Sequence, residues 1–169
     1  MKEFQDRSPS LFCPSIDRIG KQKMLITATN SDRSNPMTAS WGALGVLWGL
    51  PVASVFVRPE RYTHGLLVVG ERFSLSFLPV GFEEALGICG RLSGRDGDKF
   101  AAAGLTRASA DGWIFPREAE EVLLCRKLYA APLSPDAICD GAPLAHYRSG
   151  GYHTVFIGEI CRYLQRSPL

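Results

Sequence analysis

"SNPMTASWGALGVLWGLPVASVFV", Ser34 to Val57, carries no charged residue, and its reading decides the fold class. As one apolar helix it would be long enough to cross a bilayer. Gly42, Gly45, Gly49 and Pro51 interrupt it, however, and "WGLP" has the composition of a turn. β-Branched and aromatic residues cluster in "VASVFV" (Val52 to Val57). The stretch therefore reads as two buried strands joined by a turn, not as a membrane span. One oddity remains: Asn35, Thr38 and Ser40 place hydrogen-bonding groups where the chain is about to become almost wholly apolar.

The flanking sequence extends the β reading. "MLITATNS" (Met24 to Ser31) is a strand candidate. "FSLSFL" (Phe73 to Leu78) alternates, with Phe73, Leu75 and Phe77 on one face and Ser74 and Ser76 on the other. "EEVLLCRKLYA" (Glu120 to Ala130) and "YHTVFIGEICRYL" (Tyr152 to Leu164) complete the set. Helices are predicted from about Arg61 to Val69 and over Glu83 to Leu92. A further helical turn at "DKFAAAG" is closed by Gly104. Residues 1–20 read as a loose arm or partner-wrapping segment, and residues 21–169 as one domain without repeats or linkers.

Composition bounds the function. At 169 residues the chain can bury a core of its own. A net charge of +2 and the absence of any like-charge block argue against nucleic acid and anionic membranes as partners. Cys13, Cys89, Cys125, Cys139 and Cys161 are odd in number and lack CxxC spacing, which fits buried thiols in a reducing cytoplasm better than a zinc site or disulfide framework. The N-terminus lacks the apolar core of a signal peptide.

No Walker A, GxGxxG, HExxH or GxSxG motif is present. His64, His146 and His153 are far apart and read as surface or packing residues rather than metal ligands. What remains is a set of polar and cationic residues at strand ends: "NPMTAS", then "VRPERYTH" with Arg58 and Thr63, then "SGRDGDKF" with Ser93, Arg95 and Lys99. Each alone reads as a solvated turn. Together they offer hydroxyls, backbone N–H groups and cations suited to a phosphate, with Trp41 near an apolar platform suited to a flat ring.

"NPMTASWG", "FVRPERYTHGLL", "FSLSFL", "CGRLSGRDGDKF" and the final "YHTVFIGEI" resemble the flavin reductase-like family, and its flavoredoxin branch in particular, over roughly Met24 to Ile160. The resemblance implies a mostly β fold: a six-stranded antiparallel Greek-key split barrel with a few peripheral helices, binding FMN. It implies that Asn35, Met37, Thr38, Ala39, Ser40 and Trp41 line the flavin ring and ribityl chain. Val57 and Arg58 would end a strand beside the cofactor. Thr63 at a helix start, with Ser93, Arg95 and Lys99, would hold the phosphate. Asp98 reads as a local cap or ion-pair partner. The family is typically homodimeric with FMN at the subunit interface. That suits a hairpin apolar on both faces, through Leu44, Val46 and Trp48 and through Trp41, Ala43 and Leu47.

The function implied is an oxidoreductase in which NADH or NADPH reduces bound or free flavin. The flavin carries that chemistry, so the lack of an acid–base motif is no obstacle. A flavoredoxin-type electron carrier with a protein partner is the alternative, and a flavin-free binding barrel is a third reading. The glycine-rich segments "GICGRLSGRDG" and "HYRSGGYH" would frame an open flavin face. Arg91, Arg95, His146, Arg148 and His153 would then attract a dinucleotide's phosphates, unless "RSGGYH" is only a hairpin turn.

Overall fold

The computed structural model describes residues 3–30 and 33–167. In chain order the elements are β1 (Phe4–Arg7), α1 (Ile16–Gly20), β2 (Met24–Asn30), β3 (Arg33–Ala39), β4 (Gly42–Leu47), β5 (Leu50–Val57), α2 (Tyr62–Val69) and β6 (Arg72–Phe77). There follow α3 (Glu83–Arg91), α4 (Lys99–Ala102), β7 (Arg107–Ala110), β8 (Trp113–Pro116), β9 (Glu121–Pro132), α5 (Gly141–Leu144) and β10 (Thr154–Arg166). Each strand and helix expected from the sequence is present within a residue or two. Ser31, the last residue of the first expected strand, lies outside the described residues.

The main sheet runs β3-β2-β6-β9-β10-β5-β4, and every pairing in it is antiparallel. β3 and β4 end the path and are joined by Ser40 and Trp41, so the barrel is split at that corner. Position on the path explains Pro36, which sits inside β3: an edge strand tolerates a residue that donates no ladder hydrogen bond.

The uncharged stretch holds three strands rather than two, and β4 is not buried. Val46 is 78% exposed and Trp48 63%. Among the described residues β4 pairs only with β5, and Val46, Leu47 and Trp48 stay exposed at its end. The β4–β5 turn is Trp48-Gly49 with φ of 53° and 73°, the geometry of a type I′ hairpin.

β6 is buried on both faces. Phe73, Leu75 and Phe77 enter the barrel core with Met24, Ile26 and Phe156. Ser74 and Ser76, also buried, face a second core built on Phe100, Phe115 and Leu124. The β7–β8 hairpin covers that side, and Ser74 Oγ donates to Ile114 O at 2.8 Å. The alternation in "FSLSFL" thus marks two different interiors, not inside and outside.

Residues 3–20 are an arm, but not a loose one. β1 pairs with the C-terminal half of β10 (Phe4↔Arg166 to Arg7↔Tyr163), the half that β5 leaves free. Phe4 packs edge-on against Phe115, and Phe12 against Phe77 and Tyr163. Arg162 pairs with Asp6, and Arg117 with Glu3. Of the two readings of "RSGGYH", the hairpin turn is the one the structure contradicts. The segment closes a long connection, 133–153, that contains α5 and two short 3-10 turns, so β9 and β10 do not form a tight hairpin. All five cysteines are free; Cys89 and Cys125 are buried as expected, whereas Cys13 and Cys139 are exposed.

Candidate functional site

Two adjoining clefts open at the split corner of the barrel, and Arg61 lines both. The first, of about 190 Å³, lies between Asn35 of β3, the start of α2 and the segment that follows α3. No side chain caps α2, whose N-cap residue is Arg61; His64 N donates to Arg61 O at 2.9 Å, and Tyr62 and Thr63 of the first turn line the cleft. Asn35 Nδ2 donates to Thr63 Oγ1 at 2.8 Å, which fixes both buried side chains. Gly94 closes the far wall. A Cβ there would lie 2.1 Å from Asn35 Oδ1 and 2.5 Å from a Tyr62 ring carbon, so nothing larger than glycine fits.

Lys99 lines the same cleft from the first turn of α4. The residue is 3% exposed; no hydrogen bond or ion pair of its Nζ is found among the described residues, and Nζ is not one of the atoms sealed from solvent without a partner, so it opens on the cleft. Burial lowers its pKa to about 8; the Cys89 thiol raises it and the Arg61 guanidinium lowers it further. An ammonium on a mostly buried stem, half stripped of water at a cleft, is favoured by an anion that completes it. Asp98 does not supply that anion. It caps α4 by accepting from Phe100 N at 2.9 Å and pairs with Arg107 at 2.6 Å, the cap and ion-pair role expected for it.

The second cleft, of about 340 Å³, is lined by Met37–Trp41, Phe56–Arg58, Arg61, Gly90 and His153. Thr38 Oγ1 donates to Leu86 O at 2.6 Å and ties α3 to the cleft's floor. Arg61 Nη2 donates to Gly90 O at 2.7 Å. Trp41 carries His153 at 4.6 Å between ring centroids and His146 at 5.1 Å. His153 is buried and shares a 2.9 Å hydrogen bond with the Tyr147 hydroxyl through Nδ1. Desolvation, then the Arg58 charge, holds its pKa at about 4, so the imidazole is neutral at pH 7.

The structure thus gathers Asn35, Thr63, Ser93 and Lys99 in one cleft and Met37, Thr38, Ala39, Ser40, Trp41, Val57 and Arg58 in the other. Arg95 lines neither. It stacks on Tyr62 at 5.5 Å and donates to Glu60 O at 3.2 Å. Arg61, Tyr62 and Gly94 were not singled out from the sequence. For Arg61 a signal existed, since it directly precedes a helix start in "RPERYT". Among the described residues no cluster of His, Cys, Asp and Glu could hold a metal, and no helix is long and apolar enough to cross a membrane.

The flavin reductase like domain matches residues 16–169. The chain belongs to that family. Among solved structures it is similar to an FMN-binding protein from Thermus thermophilus with bound p-hydroxybenzaldehyde (24% identity, TM-score 0.69, 87% of this chain and 73% of that one). It is also similar to flavoredoxin from Methanosarcina acetivorans (20%, TM-score 0.69, 86% and 69%). A third is the NADH:FAD oxidoreductase of Streptomyces globisporus in complex with NAD and FAD fragments (21%, TM-score 0.65, 87% and 75%). At these identities the likeness establishes the split-barrel fold. A comparison with curated proteins found no match.

Proposed function

We propose that this flavin reductase-like protein binds FMN and uses NADH or NADPH to reduce bound or free flavin. The observation that carries the reading is Lys99, a mostly buried lysine with no ion-pair partner among the described residues, in a cleft that also presents a helix start with no side-chain cap, Arg61 and Ser93. That donor set matches a phosphate monoester, the group at the end of FMN. Asn35, Thr63 and Gly94 would shape the pocket around it. Residues 37–41 and Val57 would hold the ring in the adjoining cleft. Ser40 and Trp41 stand at the split, where no ladder occupies the backbone edge, so polar groups there can meet the heteroatoms of a ring. When bound, a flavin supplies a two-electron carrier able to accept hydride from a reduced nicotinamide. The chain's part is to orient the two rings and to keep His153 neutral beside them.

The reading includes a homodimer with FMN near the interface. A bulky residue in the left-handed region costs about 1–2 kcal/mol, and within one chain Trp48 gains little, its side chain being mostly in solvent. Beside the hairpin lies a mostly apolar groove of about 580 Å³ between Pro9–Gly20 and β4. A second copy covering this face would bury Val46, Leu47 and Trp48. Five free thiols suit a cytoplasmic location.

The purified protein should be yellow and release FMN on denaturation, and NADH or NADPH should bleach the bound FMN in rapid mixing. A colourless protein that takes up no FMN overturns the reading. FMN that dithionite bleaches but neither nicotinamide does leaves the electron carrier in its place.

A further inference from the structure

Arg58 leaves the end of β5 beside the ring cleft, but its guanidinium turns away from the phosphate-type cleft. Nη2 donates to His146 O at 2.7 Å and Nη1 to Gly151 O at 3.4 Å. Cζ lies 5.5 Å from the Tyr147 ring centroid, and the Glu60 carboxylate, at 3.7 Å, balances the charge. The two carbonyls bracket the last turn of the 133–153 connection. That turn has little regular structure of its own: Gly150 and Gly151 are both left-handed, with φ of 79° and 70°. The rings it carries fix one side of the ring cleft, since Tyr147 holds His153, and His146 and His153 both rest on Trp41. His153, Trp41 and Arg58 all line the cleft.

We propose that Arg58 is a positioning residue: it clamps residues 146–151 so that His153 and Trp41 form a fixed wall of the ring cleft, and this wall governs how the nicotinamide reaches the flavin. The assignment rests on the function proposed above and names the residue that sets co-substrate access. Arginine suits the task because one planar group can bond two carbonyls and stack on an aromatic ring at once, which a lysine ammonium cannot.

The test uses full-length, FMN-loaded protein with Arg58→Ala and Gly151→Ala. The second variant attacks the clamp from the loop side. A Cβ at residue 151 would sit 3.2 Å from Arg58 Nη1 and 3.4 Å from Glu60 Oε2, at a φ that alanine tolerates poorly. Three quantities are measured: trypsin cleavage after the exposed Arg148, FMN affinity, and KM and kcat with NADH and with NADPH. Both variants should be cleaved after Arg148 about tenfold faster, as expected when a charge-assisted tether is lost. KM for the preferred nicotinamide should rise about tenfold while kcat stays within about threefold. The loss of FMN affinity should be smaller than that of Lys99→Ala. Wild-type cleavage rates in both variants, an unmoved KM, or a loss of FMN as large as that of Lys99→Ala would overturn the clamp. If circular dichroism shows that Arg58→Ala does not fold, Gly151→Ala carries the test alone. A wild-type protein that binds no FMN or oxidises neither nicotinamide defeats the proposed function, and the clamp with it. Variants that match an active wild type defeat the clamp only.

Discussion

Lys99 and Arg58 look alike in the sequence, each a cation in a turn-rich segment, and the fold gives them opposite surroundings. Lys99 is mostly buried, with Nζ on the cleft and no ion-pair partner among the described residues; Arg58 has its donors placed on loop carbonyls. Lys99→Ala should therefore weaken FMN binding by roughly ten- to a hundredfold, the worth of a charge-assisted bond of about 1.5–3 kcal/mol, as read by isothermal titration. Its pH dependence follows from a pKa of about 8 in the fold against 10.5 for an ordinary lysine. Between those values the unfolded chain binds more protons than the folded one, so the stability of the flavin-free protein should rise with pH across that window. FMN affinity should run the other way. Above pH 8 the amine is neutral in the free protein and the phosphate must recruit a proton, so affinity falls by up to about tenfold per pH unit. Titrations from pH 7 to 9.5 should show that slope, and Lys99→Met should be flat.

Among the elements, the β4–β5 hairpin carries the clearest conflict between local and global demands. A type I′ turn favours Asn-Gly over Trp-Gly, because asparagine enters the left-handed region at lower cost. Trp48→Asn should stabilise the dilute monomer by about 1 kcal/mol in urea unfolding. The same change should lower the dimer fraction at micromolar concentration. A Trp48→Asn protein that dimerises like wild type would show that the ring has no role across the interface. Another element hid a signal that sequence reasoning passed over. "ADGW" places Asp111-Gly112, both with positive φ, between β7 and β8, and Asp-Gly between short β-type runs is a recognised hairpin cue.

For the whole molecule, light scattering with FMN bound should give twice the chain mass of 18.5 kDa at micromolar concentration, and Val46→Asp should reduce it to the chain mass. The arm contributes separately. Deleting residues 1–7 removes β1 from the edge of β10 together with the Arg162–Asp6 and Arg117–Glu3 ion pairs. An unpaired strand edge invites association, so the truncated protein should melt earlier and aggregate on heating. It should keep its FMN affinity, because the arm lines neither candidate cleft.

Local sequence was enough for β2, β5, β6, β9 and β10 and for the order of the site segments, but not for β1, β3 as a separate strand, or the β7–β8 hairpin. Period-two alternation fixed β6, glycine punctuation ruled out a single apolar helix, and Asp98 ahead of "KFAAAG" marked a helix cap, since each depends only on neighbours along the chain. Membership of the family was likewise legible, because "RPERYT" and "SGRDGDKF" are local motifs. Tertiary structure decided what faces what. Ser74 and Ser76 alternate as a solvent face would, yet both are buried on the side of the second core, where the β7–β8 hairpin accepts a hydrogen bond from Ser74. The arm carries charges typical of a free tail, and only the vacant half of β10 turns it into a strand. Arg58 and His146 are 88 residues apart, and no periodicity reports a contact of that kind. The destination of a long cationic side chain depends on which distant loop packs beside it, and that is a property of the fold's closure rather than of any local pattern.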